Sequence, residues 1–226
     1  MGTLQFSEFK AYIKFQHGNN TEFSTPTDYY GIWFNLAYKE LATRHKMTGI
    51  RKTFIFPQLN VSGTDTTADG TAYIDVPTDA LAIQECYNTT NNAYLKWMPW
   101  REYIKKTDRS TAASESKPTK WHRRGSYIYL YPTPDATYTV TIYYRKVPAS
   151  LSNDSDVTLL GTEWDQPLLS LATYKSFQWT GQYDKAKVVK GELDTQISDL
   201  LTIYGVEEKA QEAYMYLDES YNDYGY

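Results

Sequence analysis

Residues 127–131, YIYLY, and residues 137–144, TYTVTIYY, alternate their side chains with a period of two, so each segment, read as a strand, presents two different faces. The PTPD of residues 132–135 reads as the turn joining them into a hairpin. Outward from this pair the same period runs from residue 52 to residue 148. Candidate strands cover 53–61, 72–76, 82–88, 94–98, 121–124, 127–131 and 138–147, separated by clusters of Gly, Asn, Pro and Asp. Residues 99–106 are expected to form a helical turn, and the Ser/Thr/Ala-rich residues 107–117 a mobile loop.

On either side of the strands the period becomes helical. Ser7 is a candidate cap for a short helix reaching about Phe15, with Phe9, Tyr12 and Ile13 on its apolar side and Gly18 as its stop. Thr25, Pro26 and Asp28 mark the start of a second helix, on which Tyr30, Trp33, Ala37 and Leu41 recur at helical spacing before Gly49. Thr162 caps a third, which opens with Glu163, Trp164 and Asp165, carries a stripe of Leu169, Ala172, Ser176 and Trp179, and closes at Gly181. The fourth is the best patterned: Ala186, Val189, Leu193, Ile197, Leu200 and Tyr204 span roughly 30 Å of helix that Gly205 ends or bends. The expected fold class is therefore α+β, a helical bundle from the N- and C-terminal helices with an inserted antiparallel β-rich domain, either a sheet or a small sandwich. The expected division is 1–50 and 161–206 for the bundle, 51–160 for the insert, and 207–226 for a separate tail.

At 226 residues and 41% hydrophobic, the chain can bury one sizeable core or two small ones. No run approaches the roughly 18 apolar residues of a membrane span, and residues 1–17 lack the apolar region of a secretory signal, so no membrane contact is expected. The single cysteine, Cys86, permits no internal disulfide and reads as a small buried hydrophobe in the apolar run 81–87. Asn19, Asn60 and Asn88 each open an Asn-x-Ser/Thr triplet; without an export signal they read as polar loop residues.

Charge is distributed unevenly. Residues 207–226 hold six Asp/Glu and one Lys, a net −5, together with Tyr214, Tyr216, Tyr221, Tyr224 and Tyr226. Tyrosine offers rigid contact area at low entropic cost and a polar tip, so this tail reads as a docking segment, or else as a frayed acidic end. Residues 96–124 carry nine Lys/Arg against three acids, a net +6, interleaved with Trp97, Trp100, Tyr103 and Trp121. Such a segment can lie along a polyanion, form a solvated loop, or supply one side of a subunit contact.

Enzyme motifs are scarce. The sequence has no phosphate-loop pattern, no Gly-x-Ser-x-Gly and no His-Glu-x-x-His. His17, His45 and His122 lie far apart and have no ligand-spaced partner, and the acidic stretches 65–69 and 153–156 do not match a calcium loop, so they read as polar turns. No catalytic residue, cofactor or metal is expected, although acid-base carboxylate pairs leave no spacing signature.

The order of parts resembles the head-to-tail adaptor proteins of tailed bacteriophages. Two helices are followed by a strand-rich middle with WHRRGSYIYLYPTP at 121–134 and TVTIYYRKVP at 139–148, and then by Glu163 and Trp164 opening paired helices. The ending YNDYGY at 221–226 is similar to the tyrosine- and acid-bearing C-terminal region of the tail-tube adaptors of short-tailed phages. The resemblance implies a structural virion protein without catalysis. It implies a homo-oligomeric ring, expected to be a dodecamer, that joins the portal protein to tail or nozzle proteins in the virion neck after assembly in the host cytoplasm. Heterologous contacts repeated by rotation close such a ring and leave two edges for two partners. On this reading Tyr214, Tyr216, Tyr221, Asp223, Tyr224 and Tyr226 dock on the portal. Lys105, Lys106, Arg109, Lys117, Lys120, Arg123 and Arg124 are candidates for non-specific, salt-sensitive contact with genomic DNA in the exit channel. The long polar loop 107–120 departs from the simplest family pattern and leaves its place in the lumen open.

Two other classes stay open on the residues alone. A carbohydrate-binding β-sandwich would use Trp97, Trp100 and Trp121 as exposed platforms, and a cytosolic hydrolase would need a deep pocket with perturbed carboxylates.

Overall fold

The computed structural model describes residues 4–48, 51–54, 56–108 and 115–221, with side chains described over 4–44, 56–107 and 115–202. Helices α1 (Phe6–Gln16) and α2 (Tyr29–Thr43) come first, then strands β1 (His45–Thr48) and β2 (Arg51–Phe54). Strands β3 (Asn60–Thr66), β4 (Tyr73–Asp75), β5 (Ala80–Asn88) and β6 (Ala93–Trp97) lead into helix α3 (Trp100–Asp108), followed by β7 (Lys120–Arg124), β8 (Tyr127–Tyr131) and β9 (Thr139–Lys146). Helices α4 (Asp165–Trp179) and α5 (Tyr183–Tyr221) complete an α+β fold. The chain divides into a helical unit, residues 1–57 and 149–226, and a strand-rich unit, residues 58–148.

In the helical unit α1, α2, α4 and α5 share one core, as their apolar spacing predicts: α4 packs on α5, α2 and α1. Phe6, Phe9 and Ile13 of α1 meet Tyr30, Trp33, Phe34, Ala37 and Leu41 of α2, all buried, with the Phe9 and Phe34 rings 4.5 Å apart. The caps differ from the expected ones. Gln5 rather than Ser7 precedes α1, because the Phe6 and Ser7 amides donate to the carbonyls of Asp156 and Asp154, while Glu8 reaches back to the Gln5 amide at 2.7 Å. Asp28 caps α2 by accepting from the Gly31 amide at 3.0 Å. The segment returning from the insert is tied to α2 through Asn35, which exchanges two hydrogen bonds with the backbone of Leu151 (3.0 and 2.8 Å), and through Tyr38, whose hydroxyl accepts from the Leu159 amide at 2.9 Å.

Three helical expectations change. Helix α2 stops at Thr43, and HKMT at 45–48 pairs with β2 as a short antiparallel ribbon. Trp179 is exposed rather than part of the buried stripe of Leu169, Ala172 and Ser176, and Tyr12 is likewise exposed; both lie beside the packed face and not on it. Helix α5 continues through Gly205 to Tyr221. A single glycine costs a helix only about 1 kcal/mol, and the flanking Glu207, Glu208, Lys209 and Ala210 are strong helix formers.

The strand-rich unit holds a seven-stranded sheet in the order β3-β9-β5-β6-β7-β8-β4. Every strand of it sends a side chain into one core: Val61, Ile74, Cys86, Leu95, Trp121, Ile128, Leu130, Val140, Ile142 and Tyr144. The sheet wraps around these residues, and its two end strands meet where the Asp75 amide donates to the Asp65 carboxylate at 3.1 Å. Burial pushes the Cys86 thiol up to about 12, so it stays a neutral, unreactive hydrophobe. Asn88 is buried at the end of β5 and accepts from the Asn91 amide, while Asn60 opens β3; neither is a loop residue.

The expected hairpin between 127–131 and 137–144 does not form. Strand β8 pairs with β7 and β4, whereas β9 lies between β3 and β5. The tight connection is the two-residue turn Gly125-Ser126, with Gly125 at φ 62, which sets Arg124 opposite Tyr127. Segment 132–138 instead runs across loops, accepting from the amides of Ser116, Gly70 and Thr67 through Thr133, Pro134 and Tyr138. The expected strand 53–61 is likewise split, because Pro57 has no amide proton for a ladder and opens a 3-10 turn, Pro57–Leu59. One pairing is parallel, β6 with β7, and α3 supplies the crossover such a pair requires.

Candidate functional site

The sheet's inward side chains fill the core, so the alternate positions of β8 lie on its outer face. Ile128 and Leu130 point inward; Tyr127, Tyr129 and Tyr131 form the outer row, opposite Arg124, His122 and Lys120 of β7. Tyr73 of β4 pairs with Tyr129 on the other side. Helix α3 then lays Trp100 and Tyr103, stacked at 5.0 Å, against Tyr129, at 5.3 and 5.5 Å. The rings form a continuous strip: Tyr73 to Tyr127 at 4.7 Å, Tyr127 to Tyr129 at 6.4 Å, Trp100 to His122 at 5.4 Å and His122 to Trp97 at 6.2 Å. Offset and edge-on ring pairs of this kind each add about 0.5–1.5 kcal/mol beyond their burial. The Met98 carbonyl accepts from His122 Nδ1 at 2.9 Å, so Nδ1 carries a proton.

Cations border the strip. The Arg124 guanidinium lies 4.2 Å over the Trp100 ring and the Lys106 ammonium 5.1 Å over Tyr131. Lys120 pairs with Glu102 at 2.9 Å, and that ammonium, with Lys106 beyond it, holds the Glu102 carboxyl below the usual carboxylate range. Arg123 is bound inward, donating to the carbonyls of Leu81 (2.9 Å) and Ala80 (3.3 Å). Lys105 and Lys117 are exposed and make no ion pair among the described residues. Of the basic residues singled out in the sequence, Lys106, Lys120 and Arg124 border the strip, Arg123 is engaged with β5 carbonyls, and Lys105 and Lys117 stand exposed. Arg109 lies outside the described residues.

The structure corrects one of the three tryptophan platforms: Trp121 is a core residue at 5% exposure, whereas Trp97 stands 60% exposed and Trp100 is half-buried beneath Arg124. Sequence reasoning missed Tyr73, Tyr127 and Tyr129 as surface residues, although the alternation of YIYLY carried the signal once the inner face was known.

Three of the six tail candidates fall on described backbone. Tyr214, Tyr216 and Tyr221 fall in the last turns of α5, their side chains outside the described set, and Asp223, Tyr224 and Tyr226 lie outside the described residues. Helix α5 runs about 36 Å beyond Ile197, which is buried in the bundle, so the helix carries this end away from the core.

The helical unit also has an open groove of about 400 Å³ on α2, lined by Phe6, Asp28, Ile32, Leu36, Lys39 and Leu151. The acids with displaced pKa values have local causes and do not line it. Burial raises Asp165, while the backbone amides of Asn153 and Ser152 lower Asp156. Among the described residues no three His, Cys, Asp or Glu side chains are grouped to hold a metal, and no helix is long and apolar enough to cross a membrane.

No curated protein matches the chain. The SU10 adaptor protein family matches residues 6–216, which takes in both units and most of α5. That span bears out the resemblance drawn from the order of helices, strands and paired helices: the chain belongs to the SU10 adaptor protein family.

Proposed function

We propose that this phage adaptor protein assembles as a homo-oligomeric ring, a dodecamer, that joins the portal to tail or nozzle proteins in the virion neck and lines part of the DNA exit channel. The observation that supports the reading is helix α5, which continues as helix past Ile197 of the bundle core to Tyr221 in a chain of the adaptor family. Ordering the acidic, tyrosine-rich end costs free energy that a partner must offset. The free chain is therefore expected to be a monomer or weak oligomer that closes into a ring only on the portal. Native mass measurement with and without purified portal tests this; a stable closed ring of free protein, indifferent to loss of the tail, would count against it.

Contact with the genome falls in this proposal first to Lys105 and Lys117, two exposed candidates that make neither an ion pair nor a ring contact among the described residues. Replacing both by Ser should weaken non-specific duplex binding and reduce the slope of log affinity against log salt by about 1.8, at about 0.9 for each phosphate no longer neutralised. Arg123→Ser should leave that slope unchanged, since its guanidinium is committed to the Ala80 and Leu81 carbonyls. Variants that keep the slope but fail to recruit tail proteins would turn the segment into a protein interface.

A further inference from the structure

We infer that the outer face of α2, built on Ile32 and Leu36, docks on the outer face of α5 in a second copy of this chain. Most of α2 is committed inward, to α1 and α4. One turn apart on its other side, Ile32 and Leu36 stand 44% and 50% exposed, where a solvent face carries polar residues. Both line the open groove on α2, and Lys39 lines it with them. The face thus combines an apolar ridge, a recess beside it and a positive charge.

The complement lies on α5. Its buried residues Ala186, Leu193 and Ile197 face α4, and the opposite side carries Asp184, Val188, Gly191, Thr195 and Asp199, three and four residues apart and all exposed. The middle of this strip is low and has little unmet polarity, because the Thr195 hydroxyl donates to the Gly191 carbonyl at 3.1 Å. Gly191 answers no need of the chain's own packing: a Cβ there would meet nothing within 4 Å, and glycine weakens a helix interior. What it permits is the close approach of another helix. The i, i+4 ridge of Ile32 and Leu36 fits between the row of Asp184, Val188 and Glu192 and the row of Gly191, Thr195 and Asp199, the commonest way for two helices to cross. The charges agree, since the strip holds Asp184, Glu192 and Asp199, with Lys185, Lys187 and Lys190 to its sides, and the α2 face holds Lys39. The occupant is a second copy because α4 packs on both α2 and α5, so their outer faces look away from it in different directions and cannot meet within one molecule. A contact between two different faces repeats head to tail, as a ring requires. The inference rests on the adaptor reading for the presence of neighbouring copies. Two crossed helix faces alone fall short of the roughly 1,000 Å² that a stable interface buries, so the contact is weak in the free chain.

The test places a diazirine analogue of leucine at Leu36 of the full chain and irradiates a mixture of isotopically light and heavy protein. Mixed-isotope products should join the α2 peptide to the α5 peptide that holds Val188, Gly191 and Thr195. Gly191→Gln should cut their yield about tenfold by blocking close approach, while thermal unfolding holds or rises because a good helix former replaces glycine at an open position. Lys39→Glu should cut the yield about fivefold, and mixing that variant with Glu192→Lys/Asp199→Lys protein should restore it, a charge exchange that a misfolded variant could not rescue. Absence of mixed-isotope products, links from α2 to α2, links to the strand-rich unit alone, or a yield indifferent to Gly191→Gln would each overturn the inference. A closed ring on the portal with none of these links overturns it and spares the ring reading; the links without any closed ring sustain the contact and overturn the ring reading.

Discussion

Removal of residues 213–226 is expected to abolish docking on the portal while leaving thermal unfolding nearly unchanged. The described residues of α5 that enter the bundle core, Ala186, Leu193 and Ile197, all precede the cut. The deletion leaves all three in place and so keeps the described buried apolar surface of α5. What it removes is Tyr214, Tyr216, Tyr221, Tyr224 and Tyr226 with the acids Asp218, Glu219 and Asp223. If the tyrosines anchor the contact, single changes of Tyr221, Tyr224 or Tyr226 to Ala should each cost about 1–3 kcal/mol of docking free energy, in the range of buried aromatic hot spots. The three acids should act more on association rate and its salt dependence than on affinity. Titration of truncated and point variants against purified portal at several salt concentrations separates the two contributions. Undiminished binding by the truncated chain would remove the tail from the docking role.

The helical unit was readable because its signal is local. Trp33, Ala37 and Leu41 at helical spacing predict a buried face, and that face is buried. The strand-rich unit was readable in element type but not in pairing. YIYLY announces a strand with two faces, yet nothing inside it says that its neighbours are β7 and β4 rather than the next strand along. That choice depends on which connection can turn tightly, and Gly125-Ser126 does so where PTPD does not. The candidate face was hidden for the same reason. Tyr73, Trp100 and Tyr129 are distant in sequence and come together only because α3 crosses over the sheet between β6 and β7.

The contrast between Trp33 and Trp179 gives the largest expected loss of stability. Both sit at helical apolar positions in the sequence, but Trp33 is 1% exposed and Trp179 67%. The Trp33 ring is enclosed by His17 (5.6 Å), Phe23 (5.4 Å), Tyr29 (6.1 Å) and Tyr30 (5.6 Å). Trp33→Ala opens a cavity among rings that cannot collapse without breaking the packing among α1, α2 and α4, and should cost about 3–5 kcal/mol. That is a large part of the roughly 5–15 kcal/mol that typically separates folded from unfolded chains. Trp33→Phe should cost much less, because it keeps most of the apolar volume and also removes an indole N–H that is buried without a hydrogen-bond partner. Trp179→Ala, which gives up an exposed ring 6.3 Å from Tyr29, should change stability by no more than about 0.5 kcal/mol. Chemical denaturation of the three variants ranks them directly. Equal losses at residues 33 and 179 would mean that the second tryptophan packs in the folded protein after all, and that the bundle core extends past the end of α4.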